Sequence, residues 1–257
     1  MTTPSHAAVA LVTGSARRVG AVIAGALVDA GYRVWLHHHH SPREAEALAH
    51  ELRARAGEQA VIDVLVADLA DASQRRALAE RVCAWDEGRL DLLVNNAASF
   101  EHGRFVDRDD DDLRRVLEVN LVAPLSLVRS LMPALEQAGG NVVNIVDVAG
   151  MHPLGGHVDH GIAKAALDFA TRALAVELAP IRFNAIAPGT VAWPTDERHA
   201  PGSSVRAAIL RQIPLGRIGG PDDVAEAVLY LARASWVTGT RLVVDGGRVA
   251  AIGADRL

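Results

Sequence analysis

A single cysteine, Cys83, stands in the 257 residues, so no internal disulfide can form. It sits in a helical pattern without metal-ligand spacing and reads as a structural thiol, which suits a reducing, cytoplasmic setting. No stretch approaches the roughly 20 apolar residues needed to cross a bilayer. The N-terminal "MTTPSHAAVALVTGSARR" lacks the positive start and long apolar run of a signal peptide. A soluble, unexported chain is expected. Also missing is any basic stripe: the formal charge is −5, with acids and bases interspersed, so neither nucleic acid nor anionic membrane is indicated as a partner. A small-molecule partner is favoured. Neither a repeat of 20 to 50 residues nor an interdomain linker is visible.

What the chain has in abundance is apolar residues, half of the total, enough for one sizeable core. They fall into short β-branched runs alternating with longer helical patterns: "AAVALV" then "ARRVGAVIAGALVDAG", "YRVWLH" then "PREAEALAHELRARAG", "VIDVLVAD" then "ASQRRALAERVCAW". The second half continues with "LDLLVNN", a helical region near 110–137, "NVVNIV", the helix "HVDHGIAKAALDFATRALAVEL", "IRFNAIAPG" and "TRLVVDGG". The expectation is a single α/β domain over 1–257, a Rossmann-type doubly wound parallel sheet of about seven strands with helices on both faces. Residues 188–204, "PGTVAWPTDERHAPGSS", read as a lid loop over the strand ends.

In "VTGSARRVG" the first strand runs into Gly14 and a helix opens near Gly20, so backbone N–H groups face any phosphate placed there. Arg17 and Arg18 add charged donors. An acid at the end of the second strand would accept from a ribose 2′-OH, and "YRVWLHHHHSPR" has none. His39, His40, Ser41 and Arg43 stand there instead, which favours NADP over NAD. The four histidines are internal to a strand end, where neighbours point to opposite faces, so no metal site is assigned. Asp68 is either an acceptor for an adenine amino group or a helix N-cap. Asn95 either rims the cofactor cleft or ties down a turn.

"TGSARRVG", "NNAASF", the "NIVD…H…K" series, "APGTVAWP" and "TGTRLVVDGG" resemble, in order and spacing, the short-chain dehydrogenase/reductase superfamily over essentially the whole chain. Within it the chain resembles the pteridine reductases: Arg18 in place of glycine, "LHHHHS", Phe100 after "NNAAS", Asp147 where most relatives have serine, and a loop ending in Trp193 and Pro194. The resemblance implies NADPH held by Arg18, His39, His40 and Ser41, and extends the cofactor set to Ala97, Lys164, Pro188 and Gly189. It implies a pterin ring between Phe100 and the nicotinamide, with Arg18, Asp147, His160 and Trp193 around it. It further implies a catalytic set of Asn120, Asp147, His160 and Lys164, and a homotetramer in which helices near 110–137 and 160–178 pack across one two-fold axis and the C-terminal strand region across another.

One departure stands out. The superfamily's tyrosine, four residues before Lys164, is here His160. A hydride reductase must also deliver a proton, and an ammonium nearby disfavours an imidazolium. Asp147, working with water, is therefore expected to matter at least as much as His160. Alternatively, Asp147 only caps the turn "DVAG" and His160 is a satisfied helix-start residue. Asp159 could orient an imidazole, and His152 and His157 read as loop residues. Three activities stay open: a reductase of pteridine-like substrates, a reductase of another carbonyl compound with His160 as donor, and a catalytically silent member acting through association.

Overall fold

A computed structural model of the chain describes residues 7–85, 88–193 and 197–252. The strands are β1 (Val9–Val12), β2 (Arg33–His38), β3 (Val61–Val66), β4 (Leu92–Asn95), β5 (Asn141–Ile145), β6 (Arg182–Pro188) and β7 (Arg241–Val244). The helices are α1 (Arg18–Asp29), α2 (Pro42–Ala56), α3 (Ala72–Cys83), α4 (Asp110–Leu117), α5 (Ala123–Ala138), α6 (Val158–Glu177), α7 (Ser204–Gln212) and α8 (Pro221–Arg233). All seven strands are parallel, in the order β3-β2-β1-β4-β5-β6-β7. The order reverses direction between β1 and β4, the place where open α/β sheets leave a crevice at the strands' carboxyl ends.

Strand alternation splits the core in two. Ala10 and Val12 of β1 join Ile23 and Leu27 of α1, Leu52 of α2 and Val228 of α8 on one face. Val9 and Leu11 join Leu78 of α3 and Leu127, Leu131 and Leu135 of α5 on the other. With both faces covered, the central strands β1, β4 and β5 are buried along their whole length, which is why β1 reads as an unbroken apolar run and the asparagines of β4 and β5 are hydrogen-bonded internally.

The helical region expected near 110–137 is not one regular helix. A capping box of Asp109 and Asp112 starts α4, and a π turn at Glu118–Val122 separates it from α5. Pro124 has no N–H for the carbonyl of residue 120, so the ladder cannot run evenly through that point. Within Asp110–Ala138 a window of 18 residues with mean hydropathy 1.3 meets the length and composition of a membrane span, but α5 lies against α3 with its leucines in the core. Asp68 is not a helix cap: Asp71 caps α3, accepting from the N–H groups of Ser73 and Gln74. The expected lid at 188–204 contains a 3-10 turn at Glu197–His199 and leads into α7; Pro194 lies outside the described residues.

Candidate active site

The glycine turn after β1 is a close-packed object. Gly14 has φ +62, and a Cβ on Gly20 would stand 2.3 Å from the Gly14 carbonyl oxygen, so nothing larger than glycine fits at 20 without the turn opening. Arg18 is the single non-glycine residue with positive φ among those described, at 55°. Strain of that kind is kept where the surroundings require it, commonly at ligand sites. The turn is held by a residue that sequence reasoning passed over, His37. Gly14 N–H donates to His37 Nδ1 (3.0 Å) and His37 Nε2–H donates to the carbonyl of Ala67 (3.1 Å), which fixes a neutral tautomer. Burial pushes its pKa down to about 4, against the pull of the Ala67 carbonyl. Strand alternation could have found it, because His37 shares the buried face of β2 with Trp35.

Asn96, not Asn95, ties the turn to β4, donating to the carbonyls of Thr13 (2.8 Å) and Gly14 (3.1 Å). Asn95 is buried and donates to Asn144 Oδ1 (2.8 Å), which removes it from the cleft rim. The backbone N–H of Ala97 donates to Thr13 Oγ1. At the end of β2 the rings of His39 and His40 stack at 3.4 Å, and His39 Nδ1 lies 3.8 Å from Asp68 Oδ1. The two groups expected to contact different parts of a dinucleotide are thus brought together. Ser41 is buried at the head of α2 and does not cap it, while Arg17 lies 3.6 Å from Glu44. Pro188 and Gly189 end β6, where a Cβ on Gly189 would meet Asp245 at 2.7 Å. A glycine cradle and the cationic or neutral donors of Arg17, Arg18, His39 and His40 suit a phosphate-rich dinucleotide. The residues fit the group.

After β5, Asp147 is the expected turn cap and also meets His160, a contact the sequence did not indicate. Its Oδ1 caps the turn Val148–Gly150 by accepting from Ala149 N–H (2.7 Å), and its Oδ2 lies 3.2 Å from His160 Nε2. His160 Nδ1 faces the carbonyl of Ser99 (3.2 Å), which only accepts, so Nδ1 carries a hydrogen. The Nε2–Oδ2 contact then needs one further proton, on either atom. The His160 side chain is 4% exposed and that of Asp147 29%, so the carboxylate is the member open to the cleft. Lys164, one turn along α6, donates to the carbonyl of Ile145 (2.8 Å). Burial pushes its pKa down to about 8, with the Asp147 carboxylate opposing.

Ser99, unnamed at the sequence level, is the junction. Its carbonyl also accepts from Asn120 Nδ2 (2.8 Å), and its N–H donates to Asn120 Oδ1 (2.9 Å), so the π turn locks the loop after β4. Phe100 is 54% exposed, with its ring stacked on His157 at 4.1 Å and edge-on to His160 at 4.7 Å. His157 is no idle loop residue: it heads α6 and donates from Nδ1 to the carbonyl of Glu101 (2.9 Å), burial lowering its pKa. Asp159 does not orient an imidazole; its carboxylate lies 2.8 Å from Arg108 Nε. Trp193 is covered by the guanidinium of Arg206 at 4.7 Å.

A parallel sheet with a glycine turn at its reversal point, and a buried lysine one helical turn beyond a histidine that meets an aspartate after β5, suits a nucleotide-dependent oxidoreductase of the α/β class. Comparison with known proteins agrees. The family model described as enoyl-(acyl carrier protein) reductase matches residues 14–248. Pteridine reductase 1 of Leishmania tarentolae is 34% identical over 287 residues, covering 96% of this chain and 98% of the relative. A protein named as a ketoacyl reductase of the granaticin polyketide synthase of Streptomyces violaceoruber is 34% identical over 249 residues, covering 94% and 96%. The 3-oxoacyl-(acyl-carrier-protein) reductase FabG of Staphylococcus aureus is 32% identical over 243 residues, covering 93% and 96%. The chain belongs to the short-chain dehydrogenase/reductase superfamily, as an NAD(P)-dependent reductase.

Proposed function

We propose that the protein is a cytoplasmic, NADPH-dependent reductase of a planar pteridine-like substrate, in which Asp147 and His160 together deliver the proton. The observation that carries this is the His160 Nε2–Asp147 Oδ2 contact with Nδ1 already committed to Ser99. Bound at the Gly14 turn, the cofactor supplies a hydride to an unsaturated carbon of the substrate. Arg17, Arg18, His39, His40 and Ser41 hold its phosphates, Asp68 its adenine, Ala97, Pro188 and Gly189 line its path, and Lys164 holds its ribose. The exposed Phe100 ring offers a stacking platform for a flat heterocycle, and the family resemblance adds Arg18 and Trp193 to the substrate's surroundings. Asp147, the more exposed member, passes the one proton between it and His160 Nε2 to the substrate atom left negative, and water at the open side of the carboxylate restores it.

A carbonyl reductase with His160 as direct donor is the second reading, favoured by the ketoacyl reductases among the relatives. It requires His160 Nε2 to leave Asp147, since both ring nitrogens are engaged. Single-turnover NADPH oxidation with a dihydropterin separates the two. Asp147→Asn lowers the chemical step by something on the order of 10²-fold, the scale of losing an acid–base group. His160→Phe costs less, and His160→Tyr leaves the rate equal or higher. An unaffected Asp147→Asn beside a dead His160→Phe would transfer the role to histidine.

The assembly is a homotetramer. In support, α6 turns Ile162, Phe169 and Val176 outward, and Trp236 and Val243 are exposed near β7, more apolar surface than a lone subunit has use for.

A further inference from the structure

Two charges of opposite sign, one partly buried and one buried, lie beside the site without a role in the proton transfer itself. Arg108, just before α4, has a side chain 12% exposed, and Asp159, in the first turn of α6, one 5% exposed. Arg108 Nε stands 2.8 Å from Asp159 Oδ2, an ion pair without hydrogen-bond alignment, and Arg108 Nη2 donates to Glu101 Oε2 (3.0 Å). The other oxygen of Glu101 accepts from Ser99 Oγ (3.1 Å). Burial would raise the Glu101 carboxyl, but those two bonds together with the charges of Arg115 and Arg108 hold it below the ordinary range.

Sequence adjacency gives this cluster its meaning. Asp159 precedes His160, and Glu101 follows Ser99 by two residues, so one guanidinium grips both segments whose meeting makes the His160 Nδ1–Ser99 contact. Buried ion pairs seldom stabilise a fold more than apolar residues of the same volume would, and their better-attested use is to specify one arrangement. We infer that Arg108 is a positioning residue that keeps the Ser99 carbonyl against His160 Nδ1 and so holds the imidazole in the tautomer that presents Nε2 to Asp147. This inference rests on the reading of His160 and Asp147 as the proton-delivering pair.

The test reads the tautomer directly, by ¹⁵N NMR of histidine-labelled protein without cofactor or substrate, with His160→Phe assigning the signal. Wild type shows a fixed Nδ1–H on His160. Arg108→Gln and Arg108→Lys, the latter keeping a cation beside Asp159 but not the two-pronged grip, shift His160 toward a mixture of tautomers, whereas Glu101→Gln, which can still accept from Arg108, keeps it fixed. In turnover the Arg108 variants lose kcat on the order of 10- to 100-fold, the scale of a small misplacement of a reacting group, with KM changed by less than about threefold, as for an interaction absent from the ground state. If Arg108→Gln does not fold, Arg108→Lys decides. A fixed Nδ1–H in the folded Arg108 variants overturns this inference alone. A wild-type His160 bare at Nδ1 overturns it together with the pair reading.

Discussion

Lowering the pH should loosen the cofactor turn through His37 before it unfolds anything else. In the folded chain its pKa is pushed down to about 4, because the ring is buried, with His38 and His39 beside it adding to the effect. Unfolded, it returns to the usual value near 6.5. Between these values the unfolded chain binds the proton and the folded chain does not. The stabilising contribution is therefore complete above about pH 6.5 and falls away as the pH drops toward 4. A displacement of that size corresponds to about 3 kcal/mol, a large part of a typical domain's 5–15 kcal/mol. Urea unfolding at pH 7.5, 6.5, 5.5 and 4.5 measures it, and comparison with His37→Gln isolates it from the other histidines. Glutamine can accept from Gly14 and donate to Ala67 without titrating, so the variant starts lower and declines less. If wild type and His37→Gln lose stability in parallel over that range, the neutral-clamp account of His37 is wrong.

Other outcomes follow from the same geometry. The chain binds NADPH much more tightly than NADH, and Arg18→Ala with His40→Asp erases or reverses the preference; a wild type preferring NADH in fluorescence titration refutes that account of the β2 end. Gly20→Ala places a methyl 2.3 Å from the Gly14 oxygen and costs about 1–3 kcal/mol, with cofactor affinity lost more steeply than melting temperature. NADPH affinity falls as the pH rises through about 8, where Lys164 loses its charge, and Lys164→Met flattens that dependence; an identical profile in the variant would remove Lys164 from cofactor binding. Phe169→Asp on the outward face of α6 splits the tetramer, and sedimentation of the wild type as a stable monomer at micromolar concentration would refute the assembly.

Much of the architecture was legible because its determinants are local. Short, mostly apolar strands alternating with helical periods specify buried parallel strands with crossovers on both faces, and Gly14 and Gly20 mark the close-packed turn. Pro221 followed by two aspartates, the head of α8, was equally local and went unread. The break between α4 and α5 was written in Pro124, but its consequence, Asn120 bonded to Ser99, depends on a loop twenty-one residues away.

The chemistry of the site was decided at that longer range. Position 160 told the sequence reader that a histidine stood where the superfamily keeps a tyrosine, and nothing about its neighbours. Three segments distant in the chain supply those: the carbonyl of Ser99 after β4, the carboxylate of Asp147 after β5, and the ring of His160 on α6. The same holds for Asp159, drawn to Arg108 instead of an imidazole, and for Asn95, turned inward to Asn144. Periodicity reports which face of an element is buried, since burial repeats every two or 3.6 residues. Which polar atom meets which depends on how the parallel strands end side by side, and the sheet order alone brings those ends together.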